Sequence, residues 1–264
     1  MTGRVLIIAG SDSGGGAGIQ ADLKTVTALG GYGATAITAL TVQDTKDVHA
    51  IHEVPPAIVR QQIEVVLADI GADAIKTGML HRIEVVEAVI AGLAGAEGIP
   101  LVVDPVMVAK GGATLLDPDT IEILRTKFLP LATVLTPNLP EAALLAGMEV
   151  GDDAATIAVG RRLLDYGPQA VLMKGGHRDG PELRDILVTR EAEPLVFAGP
   201  RIDTRHTHGT GCTLASAIAT RLAQGAAMGE AVEDAREYVF EAIRTAPGYG
   251  AGHGPLNHGH TVRR

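Results

Sequence analysis

Short apolar runs alternate with longer helical stretches from one end of the chain to the other, and that alternation limits the fold more than any other feature. Residues 4–9, Arg-Val-Leu-Ile-Ile-Ala, read as a buried strand, 19–29 as a helix and 35–42 as the next strand. Residues 58–70 put Val59, Ile63, Val66, Leu67 and Ile70 on one stripe of a helix. A short strand at 74–77 precedes a helix at 83–93, with Val86, Val89, Ile90 and Leu93 spaced for one face. Strand 101–103, helix 117–127, strand 133–136, a short helix from Pro140, helix 155–166 and strand 170–174 follow. Two strands in succession, 185–189 and 193–198, predict an antiparallel hairpin. Helices at 211–224 and 230–245 and a Gly- and Pro-rich loop at 247–257 complete the pattern. Such alternation gives a mostly parallel sheet with helices on both faces, and the hairpin makes one edge antiparallel. No repeat or linker divides the chain, so residues 1–264 are expected to form a single α/β domain.

Composition narrows the function. A hydrophobic content of 46% supports a sizeable core, while a net charge of −9, 3% aromatic residues and no Trp argue against nucleic acid as a partner. One cysteine cannot form an internal disulfide, which fits a reducing cytoplasm. The apolar run at 5–9 is strand-sized, far short of a membrane span, so neither a signal peptide nor a membrane partner is expected.

Ligands of open parallel sheets bind at the carboxyl ends of the strands. Gly10-Ser11-Asp12 follows the first strand, Gln43-Asp44 the second, and Lys76-Thr77-Gly78-Met79 closes the third. Asp104-Pro105-Val106, Pro137-Asn138 and Lys174-Gly175-Gly176 end the next three. Six polar strand ends in register point to a site.

The segment His208-Gly209-Thr210-Gly211-Cys212 opens a helix of small residues and holds the only cysteine. Its glycines let backbone N–H groups converge, and a helix start adds partial positive charge, an arrangement suited to phosphate. A thiol there is expected to ionise more easily than a free one, with its pKa moved from about 8.5 toward neutrality. The Gly-rich loop from Gly10 to Gly18 has Ile19 where a dinucleotide fingerprint needs its third glycine, and no P-loop pattern exists in the chain. That loop reads equally as a flexible turn or as bare backbone open to a small substrate. Asn138 and Glu141 share one side of a first helical turn; the spacing favours a capping box, and a hydrated Mg²⁺ is the other reading. Asp104 before proline could cap a turn. Lys174 ends a buried strand and needs an anionic partner, either phosphate or a protein carboxylate. The nine histidines, His206 and His208 among them, show no zinc-ligand spacing and read as local hydrogen-bonding groups.

With these residues in place, nearly the whole chain resembles the hydroxymethylpyrimidine/phosphomethylpyrimidine kinases of thiamine biosynthesis, a branch of the ribokinase-like superfamily. The resemblance is carried by segments 9–25, 76–80, 103–112, 135–142, 173–177 and 206–213. It implies a three-layer ribokinase-like fold and ATP-dependent phosphorylation of 4-amino-5-hydroxymethyl-2-methylpyrimidine, then of its monophosphate. By motif, Gly209, Thr210, Gly211 and Cys212 would form the anion hole, with Cys212 in the place of an aspartate base. Gln43 would read the pyrimidine edge, Asp22 and the loop at Gly10 would line the pocket, and Met79 and Val106 would form its apolar walls. Asn138 and Glu141 would place Mg²⁺ and phosphate, with Asp104 reaching the metal through water, and Lys174 would meet the ATP phosphates. The resemblance also suggests a homodimer. A pyridoxal or pyridoxine kinase, or a pyrimidine-binding regulator without catalysis, are the competing readings. Asp44 and Gly259 depart from the family pattern, which usually has Asn and an aromatic there.

Overall fold

The computed structural model describes residues 2–107, 118–177 and 180–262. Strand β1 (Arg4–Asp12) is third from one edge of a nine-stranded sheet, with α1 (Gly18–Ala28), β2 (Tyr32–Gln43), β3 (Val48–Glu53), α2 (Pro56–Asp69), β4 (Ala74–Thr77), α3 (Ile83–Gly92) and β5 (Leu101–Val103) after it in the chain. Helix α4 (Pro118–Ile123) continues into a π-helical turn, Leu124–Phe128. Then come β6 (Val134–Leu135), α5 (Leu139–Ala146), α6 (Asp153–Leu164), β7 (Ala170–Met173), β8 (Glu182–Thr189), β9 (Leu195–Pro200), α7 (Thr210–Ala223) and α8 (Met228–Arg244). The sheet order is β3-β2-β1-β4-β5-β6-β7-β8-β9. Pairings from β2 through β7 are parallel, and β8 and β9 form the expected antiparallel edge.

Alternate residues of the same strand feed opposite cores, as a two-sided sheet requires. Leu6 and Ile8 face α2, α3, α5 and α6 through Val59, Ile63, Val89, Leu145 and Leu163. Val5, Ile7 and Ala9 face α1, α7 and α8 through Val26, Ile218 and Val232. The outcome is three layers, with helices on both faces.

Two differences from the sequence reading stand out. Strand β3 was not expected; it pairs antiparallel with β2, so both edges of the sheet are antiparallel. All six of its residues are exposed, so no buried face imposes an alternating apolar pattern on it. The helix expected over 117–127 is described from Pro118 and changes to π geometry at Leu124; Asp117 lies outside the described residues.

The C-terminal segment is tied to the start of α7. His258 Nε2 lies 3.0 Å from Thr213 Oγ1, and Tyr238 Oη donates to His258 O at 2.6 Å. Burial, aided by the charges of Lys24 and His260, pushes the His258 imidazole down to about 4. The folded protein therefore binds this proton less readily than the unfolded chain. The stability it protects is whole above pH 6.5 and is lost as pH falls toward 4. A shift of that size corresponds to about 3 kcal/mol. Unfolding melts between pH 7 and 4 should show the wild type losing more stability than His258→Gln.

Candidate active site

The six strand ends and the start of α7 open into one cleft of about 1790 Å³. Every site residue expected from sequence lines it, with the exception of Asp22.

Gly209 sits at φ 84°, the left-handed region, and precedes α7 without any side-chain cap. A Cβ there would overlap the Gly16 carbonyl, so only glycine lets the turn press against the Gly-rich loop. Thr210 N donates to Thr207 O at 3.3 Å, no side chain caps the turn, and Gly209–Cys212 line the cleft, so its other N–H groups suit an anion there. A Cβ built on Gly211 would lie 3.2 Å from Lys174 Nζ and 3.5 Å from Asp104 Oδ2, which places this turn beside both charges.

Lys174 takes the carboxylate option: its Nζ donates to Asp104 Oδ1 at 2.8 Å. Burial opposes the ammonium, but Asp104 and then Glu141 outweigh it and hold Lys174 above the usual lysine value. Asp104 is thus committed to an ion pair at one oxygen, and Thr136 Oγ1 approaches the same atom at 3.4 Å. Asn138 and Glu141 form the capping box: Asn138 Oδ1 accepts from Glu141 N at 2.9 Å, and Glu141 Oε2 accepts from Asn138 N at 2.8 Å. Burial raises the Glu141 carboxyl to about 7, with Lys174 opposing and Asp104 adding to the rise.

Two expectations need correction. Asp22 does not reach the cleft. It is fully buried, with both oxygens 2.9 Å from Lys76 Nζ and Ser216 Oγ donating to it at 2.7 Å. Burial lifts the Asp22 carboxyl above its usual value against the pull of Lys76 and Ser216, and three hydrogen bonds from these two groups tie it in place. Burial likewise opposes the Lys76 ammonium, but Asp22, Cys212 and Asp104 raise it above the lysine range. The second correction concerns Cys212. Burial pushes its thiol up to about 11; Lys76 pulls the other way, while Asp22 and Asp104 reinforce the rise. The expected fall toward neutrality does not occur, because burial, reinforced by the two carboxylates, outweighs the pull of Lys76.

Sequence reasoning missed the part played by Asp12. Its carboxylate accepts from Gly14 N at 2.8 Å, Gly16 N at 3.1 Å and Ala17 N at 2.8 Å, so the Gly-rich loop is wound around a protein carboxylate. His208 Nε2 adds a fourth contact at 2.8 Å. Burial works against the charge, but His208 and these backbone donors prevail and hold Asp12 below the usual carboxylate range. An Asp ahead of a glycine run is a signal for a side chain closing its own loop. Gln43, the last residue of β2, lies at the same end with its side chain between Thr41 and His208. Met79 is close to Gly10, where an added Cβ would fall 2.8 Å from Met79 Cε. Val106 stands on the wall nearby, and residues 108–112 of the resembling segment lie outside the described residues. Asp44 closes the β2–β3 turn by accepting from Lys46 N and Asp47 N and pairs with His49, which explains an acid there. Nothing in the structure explains Gly259.

The protein family described as phosphomethylpyrimidine kinase matches residues 12–257. A hydroxymethylpyrimidine/phosphomethylpyrimidine kinase of Streptomyces coelicolor is 49% identical over 97% of this chain and 94% of its own length. The thiamine biosynthesis bifunctional protein ThiED of Geobacter sulfurreducens is 51% identical over 97% of this chain, which spans 52% of that longer protein. Among solved structures, a phosphomethylpyrimidine kinase of Clostridium difficile superposes with a TM-score of 0.81 at 44% identity, covering 91% of this chain and 99% of that one. The pyridoxal kinase of Staphylococcus aureus in complex with ADP superposes with a TM-score of 0.92 at 35% identity, covering 100% and 96%.

Proposed function

The chain belongs to the phosphomethylpyrimidine kinase family, and we propose that its cleft holds a hydroxymethylpyrimidine at the Gln43 end and a nucleoside triphosphate beyond the Gly209–Cys212 turn. It is an ATP-dependent kinase with a ribokinase-like fold, and it phosphorylates 4-amino-5-hydroxymethyl-2-methylpyrimidine and then the monophosphate in thiamine biosynthesis. The observation that carries the site assignment is a single cleft joining Gln43 to the uncapped α7 turn, with Lys174 beside that turn.

Phosphoryl transfer asks mainly for positioning and charge neutralisation. Gln43 holds the ring, while Gly10, Met79 and Val106 enclose it. The N–H groups of Gly209, Thr210, Gly211 and Cys212 hold the transferring phosphoryl, and Lys174 offsets its charge. Leu214, Val239, Phe240 and Ile243 also line the cleft and offer an apolar wall suited to adenine. Cys212 orients the substrate hydroxyl and relays its proton. In the second reaction the monophosphate rebinds with its phosphate facing the donor.

The acidic residues suit Mg²⁺, which keeps several waters and binds through one or two carboxylates plus phosphate. Glu141, with Asp104 through water, would hold it, and it would supply neutralisation of phosphate charge. Glu141→Gln keeps an acceptor for the helix cap and removes the charge. The variant should need more Mg²⁺ for half-maximal activity and melt close to wild type; an unchanged Mg²⁺ titration would leave Glu141 as a cap alone.

We read residues 1–264 as one kinase domain working in the cytoplasm as a homodimer. The exposed Leu40, Val42, Val48 and Ile51 on the β2–β3 edge support self-association. Among the described residues no helix is long and apolar enough to cross a membrane.

ADP release measured with the hydroxymethylpyrimidine, its monophosphate, pyridoxal and pyridoxine tests the reading. The first two should exceed the others in kcat/KM. Preference for pyridoxal would overturn the substrate assignment, and pyrimidine binding without ADP release would make the protein a regulator.

A further inference from the structure

We propose that His208, anchored by Asp12, is the positioning residue that fixes which way the Gln43 amide faces, and so selects a ring offering an acceptor nitrogen beside an amino group. The inference rests on the reading of Gln43 as the group that holds the ring.

Two conflicts around Gln43 carry it. His208 Nε2 lies 2.8 Å from the Asp12 carboxylate, so that nitrogen must bear the proton and donate. Gln43 Nε2 lies 3.3 Å from the same nitrogen, which sets donor against donor. On the other side, Thr41 Oγ1 has one proton and faces two acceptors, Ser11 O at 3.0 Å and Gln43 Oε1 at 3.1 Å. A half-turn of the amide removes both conflicts at once. Gln43 Oε1 then faces the His208 N–H that Asp12 holds and shares it as a longer, second acceptor, Gln43 Nε2 donates to Thr41 Oγ1, and Thr41 donates to Ser11 O. The donor-against-donor contact becomes an attractive shared one, and the chain of bonds ends on a carboxylate that three backbone N–H groups also hold.

The amide keeps one N–H and one oxygen lone pair for a ligand. This is the pair with which glutamine reads adenine, an acceptor nitrogen next to an amino group. With the orientation fixed, the ring nitrogen must lie on the Thr41 side and the amino group on the His208 side. In a 4-amino-5-hydroxymethylpyrimidine the hydroxymethyl is next to the amino group. It therefore points along the chain from His208 toward Gly209–Cys212, where the phosphoryl is held. The opposite amide orientation would send it toward Thr41, away from the donor.

The test compares kcat/KM for the 4-amino substrate with that for its 4-oxo analogue, which presents N–H and C=O in reverse. The wild type should favour the amino form by roughly 10²-fold. His208→Leu should shrink that ratio at least tenfold with the KM for ATP unchanged, and His208→Gln, which restores a donor, should recover it. A simple structural role would lower both activities and leave the ratio intact, and that result would overturn the proposal. A second readout needs neither a variant nor turnover. In the free ¹⁵N-labelled protein, the Gln43 side-chain amide protons should show nuclear Overhauser contacts to Thr41; contacts to the His208 ring instead would also overturn it. If the wild type turns over neither pyrimidine, the proposed function fails, and the amide contacts still decide the orientation.

Discussion

Lys76→Met is expected to lower the unfolding free energy by about 3–5 kcal/mol. The Lys76 side chain is wholly buried and meets both oxygens of an equally buried Asp22 at 2.9 Å. Removing the ammonium leaves a carboxylate in the core with only Ser216 to donate to it. The cost is that of the stranded charge, so the double variant Lys76→Met, Asp22→Leu should recover most of it, as buried pairs replaced by apolar residues commonly do. Urea unfolding of the wild type, the single variant and the double variant measures this directly. A single variant within about 1 kcal/mol of wild type, the range of an exposed pair, would show that Asp22 simply takes up a proton or finds water. The pair also acts on the chemistry. Lys76 opposes the upward push on the Cys212 thiol, so its loss should make that thiol still harder to ionise.

What could be read from the sequence, and what could not, divides by range. The central strands are legible because burial on both faces forces continuous apolar runs such as Val5-Leu6-Ile7-Ile8. Strand β3 is not, since an exposed edge strand of Val-His-Ala-Ile-His-Glu owes its form to pairing with β2 alone. The turn at Gly209–Cys212 and the box at Asn138–Glu141 are legible because each is a local motif within a few residues. The partners that set their electrostatics are distant: Asp12 and His208 are 196 residues apart, Lys174 and Asp104 70, and Lys76 and Asp22 54. Asp22 illustrates the limit. Its place in a family segment suggested the pocket, but the face of α1 that carries it turns inward to meet Lys76, and no local pattern announces that.

Cys212 makes the same point with more consequence for mechanism. A helix start argues for an easily formed thiolate, yet burial and two nearby carboxylates push the thiol up to about 11. At pH 7 roughly one thiol in 10⁴ would be ionised, so a resting thiolate base is a poor explanation of turnover. A relay fits better. The transition state of phosphoryl transfer is loose, so the substrate oxygen holds its proton until the new P–O bond is forming. At that moment Cys212 Sγ can take the hydroxyl proton while passing its own to a phosphoryl oxygen, and no net charge forms on sulfur. Cys212→Ala should therefore lower kcat roughly 10²–10⁴-fold and leave both KM values nearly unchanged, since the N–H groups from Gly209 to Gly211 remain. Cys212→Ser should retain more activity than the alanine variant, because a hydroxyl can relay in the same way. The wild-type kcat should be flat from pH 7 to 8.5, whereas a thiolate base would give a tenfold rise per pH unit. Alkylation of the free protein should be slow at neutral pH, should accelerate only toward the raised pKa, and should be blocked by bound pyrimidine. A rate that climbs with pH, or rapid alkylation at pH 7, would restore the thiolate; an alanine variant with near-normal kcat would leave Cys212 as a small residue packed at the start of α7, with Lys174 and the backbone N–H groups carrying the reaction.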